Sequence, residues 1–226
     1  EGEEEFGSRS FANFIVENRD DLAADVIVVA DSDNWDTATP SLTVGLRGNV
    51  TFKLRVSTLE HASHSGMFGG AVPDAMLAMV KLLATLWDDE GSVAVAGLEI
   101  RDAATPEYTE ETLRAETGLL DGVSPIGSGS IIGRIWNKPA ITVTGIDFTD
   151  VASASNTLSK SVTAKISARV APGQSAQEAF AAIEAHLRAH VPFGAHLVID
   201  DVDTGEAFLV DTNGWGVELA RTAMHD

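Results

Sequence analysis

Between residues 161 and 170 every second side chain is apolar, and this constrains the fold more than any other feature. Val162, Ala164, Ile166, Ala168 and Val170 alternate with Ser161, Thr163, Lys165, Ser167 and Arg169. Successive side chains of a strand point to opposite faces, so the pattern predicts an antiparallel strand with one buried face and one wet face. Val50, Phe52, Leu54 and Val56, interleaved with Thr51, Lys53, Arg55 and Ser57, repeat it, while Ala140 to Ile146 and His196 to Val202 read as two more strands. A Gly-rich turn over residues 65–70 leads to Pro73 at a first helical position, with Met76, Val80, Leu83 and Trp87 on one helical face and Gly91 as the stop. A second helix follows Pro172-Gly173, where Ser175 and Glu178 have the spacing of a capping box and Phe180, Ile183 and Leu187 form the buried stripe. The order β-α-β-β-α-β, interrupted by an insertion over about residues 98–135, is that of a ferredoxin-like two-layer sandwich.

The flanks differ. Phe11, Phe14 and Ile15 recur at helical spacing, and Asp25-Val26-Ile27-Val28-Val29-Ala30 is a continuous apolar run ending in Asp31, the pattern of a strand buried on both faces of a parallel sheet. Ser32, Asp33, Asn34 and Pro40 mark a loop, and residues 213–224 predict a closing helix. We therefore expect an α/β (α+β) chain: residues 1–46 and 204–226 are pieces of an α/β domain, and residues 47–203 are the ferredoxin-like one. Ligands in open α/β sheets sit beyond the carboxyl ends of strands, which places Asp31 where chemistry is done.

Composition narrows the functions available. The 226 residues hold 34 Asp and Glu against 15 Lys and Arg, a formal charge of −19, yet 44% are hydrophobic, enough for a core. Such acidity argues against phosphate-tracking nucleic-acid binding and against anionic membrane surfaces. The apolar stretch from Ala75 to Trp87 is broken by Lys81 and is shorter than the roughly 20 residues of a bilayer span. Cysteine is absent, so any metal must be held by His, Asp or Glu. The first residues have no initiator Met, basic region or apolar region, so they are not a signal peptide, and the chain reads as a fragment of a cytoplasmic protein.

Few residue clusters suggest chemistry. Glu3-Glu4-Glu5, taken alone, is a solvated acidic terminus; adjacent carboxylates also suit a metal-assisted hydrolase, one ligating metal while its neighbour takes a proton. His61 and His64 lie three apart in a loop rich in Ser and Gly. Arg169 on the polar sheet face is by default a solvated cation, though a guanidinium also captures carboxylates in bidentate fashion.

Order and spacing bring these signals together. Glu1-Gly2-Glu3-Glu4-Glu5-Phe6-Gly7-Ser8, Ala30-Asp31-Ser32-Asp33-Asn34-Trp35, Gly45-Leu46-Arg47-Gly48, His64-Ser65-Gly66 with Phe68-Gly69-Gly70, Trp136 with Pro139 and Gly145-Ile146, and Ser167 through Gln174 resemble di-zinc metallopeptidases of family M20, most closely its dipeptidase branch. The family includes carnosinases, carboxypeptidase G, acetylornithine deacetylase and succinyl-diaminopimelate desuccinylase. The resemblance covers nearly the whole chain and implies a ferredoxin-like lid and dimerisation domain inserted into an α/β metal-binding domain. It implies that Glu4 is the general base, that Glu5 and Asp31 each ligate one of two divalent metals (zinc, or else manganese or cobalt), and that His64 stabilises the oxyanion in the partner subunit's site. Arg169 would clamp the substrate's terminal carboxylate, and Asn156 would contact substrate in trans, although Ser159 stands where a proline is common.

The family's first metal motif, a histidine two residues before a bridging aspartate, and a later metal-binding histidine have no counterpart here. The resemblance thus implies a homodimeric hydrolase of dipeptides or N-acyl amino acids, with this chain inactive by itself. Two other readings stand beside it: a non-catalytic dimerisation module, and an acidic calcium-binding domain, which lacks the twelve-residue loop of an EF-hand.

Overall fold

The computed structural model describes residue 8, residues 10–29 and residues 34–225. The chain divides into two compact units, Val44–Val210 and a second made of Glu1–Thr43 with Asp211–Asp226. The second unit contains helix α1 (Phe11–Glu17). The larger unit runs β1 (Gly45–Leu46), β2 (Gly48–Ser57), β3 (Ser63–His64), α2 (Ser65–Phe68), α3 (Ala75–Ala84), α4 (Glu110–Thr117), α5 (Ile131–Asn137), β4 (Ala140–Asp147), β5 (Thr157–Leu158), β6 (Ser161–Val170), α6 (Ala176–Ala189), β7 (His196–Gly205) and β8 (Phe208–Leu209). The closing helix α7 (Trp215–His225) belongs to the second unit.

Four strands form one sheet in the order β4-β6-β2-β7, every neighbouring pair antiparallel. With α3 between β2 and β4 and α6 between β6 and β7, this is the expected ferredoxin-like sandwich. The alternation read from sequence is the alternation observed. Val50, Phe52, Leu54 and Val56 of β2 and Val162, Ala164, Ile166, Ala168 and Val170 of β6 are buried, in one core with Ala78, Met79 and Leu82 of α3 and Ala179, Ile183 and Leu187 of α6. Phe52 meets Phe180 edge-on, with ring centroids 5.7 Å apart and planes at 62°, a preferred aromatic geometry.

The other face of the sheet is polar. Opposite β2, strand β7 carries an extra residue between Asp200, which pairs with Lys53, and Asp203, which pairs with Thr51. Asp201 at this bulge has a φ of +52°. Its carboxylate lies 3.1 Å from Lys53 Nζ and 3.5 Å from Lys165 Nζ. The Lys53 hydrogen bond, then the charges of Lys53 and Lys165, hold the carboxyl below its ordinary range.

Five details differ from the sequence reading. Residues 26–29 form no strand, and Ile27, Val28 and Val29 are at least three-quarters exposed. A parallel strand needs hydrogen-bonding neighbours, and among the described residues of its unit there is no other strand; Ala30 and Asp31 lie outside the described residues. Helix α3 is capped by Asp74, whose Oδ1 accepts the Leu77 N–H, so Pro73 precedes the cap instead of opening the helix. Its buried stripe is Ala75, Ala78, Met79, Leu82 and Leu83, with Val80 exposed. The helix stops at Ala84, Trp87 pairs with Val93 in an isolated bridge, and Gly91 (φ +83°) turns the chain between them. Finally, α6 begins at the expected place, but Ser175 makes no side-chain cap; the Ala176 N–H donates to Glu206 Oε2 at 3.0 Å instead.

The insertion is tied to the frame by Gln174, which is buried: its Oε1 accepts the Glu99 N–H (2.9 Å) and its Nε2 donates to Gly97 O (2.7 Å). Thr109 caps α4 through the Thr112 N–H, Gly118 ends it in the left-handed region, and Ser130 caps α5.

The ends of α3 and α6 meet through Thr85 and His186. Thr85 Oγ1 donates to Leu82 O (2.7 Å), so His186 Nε2, 3.0 Å away, is the donor to that oxygen. Burial, then the nearby His190 ring stacked at 4.1 Å, hold the His186 pKa below 6.5. The unfolded chain therefore binds this proton more readily, and the stabilisation present above about pH 6.5 is lost as pH falls. Urea titrations between pH 7.5 and 5.5 should show stability declining towards acid, with a shallower slope in His186→Asn; equal slopes would contradict the assignment.

Candidate functional site

The short ladder β3–β5 carries two of the expected site residues. Ser63 pairs with Leu158 and His64 with Thr157, and the Ser65 N–H donates to Asn156 O at 2.9 Å. Buried Leu158 anchors the ladder, the Thr58 N–H donates to Lys160 O (3.0 Å), and the Ala75 N–H donates to Ser159 O (3.0 Å), joining it to β2 and α3. The structure thus brings His64 and Asn156 together, both exposed.

His64 is held in one tautomer. It caps α2, with Nδ1 accepting the Gly66 N–H at 3.0 Å, so a neutral ring carries its proton on Nε2, available for donation. This fold-back needs glycine: a Cβ on Gly66 would sit 2.8 Å from His64 Cε1 and 3.1 Å from Nδ1.

Arg169 stands elsewhere. It lies next to the last residue of β6, on the open face, with Asn49 of β2 and Ala140 of β4 as its register partners. Arg47, directly before β2 and two residues before Asn49, is near enough to feel the Arg169 charge. Neither guanidinium has a hydrogen bond or carboxylate partner among the described residues. Burial, with the Arg169 charge adding to it, pulls the Arg47 pKa below its ordinary value. The ladder meets β6 at its Ser161 end, and eight residues at about 3.4 Å each set Arg169 roughly 27 Å further along the strand. His64 with Asn156 and Arg169 are therefore two separate places on this domain.

Glu4, Glu5 and Asp31 lie outside the described residues. Among the described residues no group of three or more His, Asp or Glu side chains is placed to hold a metal ion. The described part of the chain is therefore not a complete metal centre, and no catalytic step through a metal follows from it. Arg47 had no role assigned from sequence; its signal was the Gly45-Leu46-Arg47-Gly48 segment, in which a guanidinium directly precedes a strand.

Residues 44–195 match the peptidase dimerisation domain of the M20 peptidases, and the chain belongs to that family. A cysteinylglycine-S-conjugate dipeptidase of Corynebacterium striatum is 33% identical over 230 residues, covering 100% of this chain and 50% of that protein. A Beta-Ala-His dipeptidase of Rattus norvegicus is 29% identical over 203 residues, covering 84% of this chain and 41% of that protein. The structure of human carnosine dipeptidase 1 shares the fold, with a TM-score of 0.75 at 22% identity over 100% of this chain and 50% of that one. The chain spans about half the length of the curated relatives it matches.

The His64 geometry is testable by nitrogen-15 NMR of the imidazole. In the native chain the neutral ring should show a hydrogen-bonded, acceptor Nδ1 and a protonated Nε2; in Gly66→Ala the ring must swing away and the tautomer signals average. An unchanged spectrum in Gly66→Ala would refute the cap.

Proposed function

We propose that this chain is the lid-bearing half of a metal-dependent dipeptidase that works as a homodimer through its lid. The observation that carries the reading is the 33% identity to a cysteinylglycine-S-conjugate dipeptidase along the whole chain. The placement of the site residues supports it. With His64 and Asn156 at one end of the lid and Arg169 about 27 Å along β6, residues of both kinds meet at one substrate most simply when each comes from a different subunit.

In this reading residues 1–46 and 204–226 belong to the catalytic domain and residues 47–203 to the lid. Glu5 and Asp31 would each give one carboxylate to a pair of divalent ions, zinc in the first instance and manganese or cobalt as alternatives, with the remaining ligands from outside this chain. The ions would supply Lewis acidity at the scissile carbonyl. Glu4 takes the proton of the attacking water and delivers it to the leaving amine. His64 donates its Nε2 proton to the oxyanion of the partner subunit's substrate, Asn156 hydrogen-bonds that substrate beside it, and Arg169 grips the terminal carboxylate.

The longer enzyme, loaded with zinc or manganese, should hydrolyse members of a panel of dipeptides faster than N-acyl amino acids. Glu4→Gln should lower kcat by about 10²–10⁴-fold while metal content stays constant. Arg169→Met should raise KM for dipeptides far more than for their C-terminal amides. An inert panel would overturn the dipeptidase reading, and faster turnover of N-acyl amino acids would convert it into a deacylase.

A further inference from the structure

A cavity of about 810 Å³ lies beneath the insertion, between α4, α5, the 123–128 loop and the start of β4. Its walls are mainly apolar, with Trp87, Leu113, Ile126, Ile135 and Ile141 among the residues lining it. Ile126 remains 69% exposed, so this surface is not closed by the insertion's own packing. The volume falls in the range of small-molecule pockets, roughly 300–1,000 Å³.

The charges around this cavity run against the rest of the chain. The lining contains Arg47, Arg134 and Lys138 against a single acid, Asp88, in a protein of formal charge −19. Asp88 is engaged in its own turn, its Oδ1 accepting the N–H groups of Glu90 (3.0 Å) and Ser92 (2.8 Å). Arg134 donates Nε to Gly129 O (2.9 Å) and Nη1 to Ile126 O (2.8 Å), and Lys138 Nζ donates to Ser128 O (2.6 Å). These acceptors are neutral, so no carboxylate among the described residues cancels the positive charges, and donors remain on both side chains. Arg47, half-buried, has no partner among the described residues, and its depressed pKa reflects the cost of burying that charge beside Arg169. A half-buried cation without an anion is unfavourable, and an anionic ligand would relieve it.

We propose that this cavity is a binding site for a small amphipathic carboxylate, an apolar body lying among Trp87, Leu113 and Ile135 with its carboxylate on Arg47 and Lys138. An apolar groove without cations would take a neutral hydrophobe, and a purely cationic patch would take phosphate or sulfate. The combination selects a molecule with both parts. The site is separate from the carboxylate clamp proposed for Arg169, which does not line the cavity, and it does not depend on the dipeptidase reading.

Isothermal titration of this chain with N-acetyl-L-tryptophan tests it, with the neutral N-acetyl-L-tryptophanamide and inorganic phosphate as comparison ligands. The carboxylate should bind at least tenfold more tightly than the amide, and phosphate should bind more weakly than the carboxylate. Arg47→Met should weaken binding of the carboxylate at least tenfold, and Ser124→Trp, which fills the mouth with little disturbance of the sheet, should do the same. Arg169→Met should change it less than threefold. Equal affinity for amide and carboxylate would overturn the charge assignment, and tighter binding of phosphate would overturn the apolar one. Loss of binding in Arg169→Met with retention in Arg47→Met would place the ligand on the other guanidinium and sink the proposal.

Discussion

The pairing of β2 with β6 is the interaction on which the rest of the molecule depends. Ten residues of each strand run opposite each other, from Gly48 against Val170 to Ser57 against Ser161, without a slip. Because the side-chain period is two, this one register decides at a stroke which face is core and which is open. It aligns Phe52 with Ile166 and Leu54 with Ala164 under the helices, and it sends Lys53, Lys165 and Arg169 to the other side. A shift of one residue would exchange the two sets.

The same pairing distributes the expected site residues. At one end of the two strands, Thr58 bonds to Lys160 and the β3–β5 ladder grows out, carrying His64 and Asn156. At the other end Arg47 stands near enough to feel the Arg169 charge, and the edge strand β4 leads into the cavity beneath the insertion. A lid built this way keeps an imidazole and a guanidinium well apart on one rigid sheet.

The strands were legible in the sequence because alternation of Val, Ile, Ala and Phe with Thr, Ser, Lys and Arg has one structural solution. The stripe of α3 was not, since residues 75–87 are apolar nearly all round and only Lys81 marks a wet side. Ala75 and Ala78 are fully buried alongside Met79 and Leu82, a choice that packing volume makes and hydrophobic periodicity does not. Residues 26–29 have the composition of a buried strand, yet pairing with other strands, which a local pattern does not encode, decides whether such a run becomes one. His64 and Asn156 could be named from sequence through a family resemblance, but their union rests on the pairing of strands 92 residues apart, which spacing alone does not give. Arg47 escaped attention because an arginine at a strand end is commonplace; that it has no anion beside it among the described residues, and feels the Arg169 charge, shows only in the fold.

The most direct test of the β2–β6 register compares two adjacent substitutions by urea denaturation. Phe52→Ala should cost about 3–5 kcal/mol, because the ring is fully buried against the helices. Thr51→Ala, on the open face, should cost no more than about 1 kcal/mol. That contrast would support a single register that fixes the core and the open face together. Similar costs, or the larger cost at Thr51, would mean that β2 presents the other face to the core and that Arg169 does not stand on the open face where the proposed carboxylate clamp needs it.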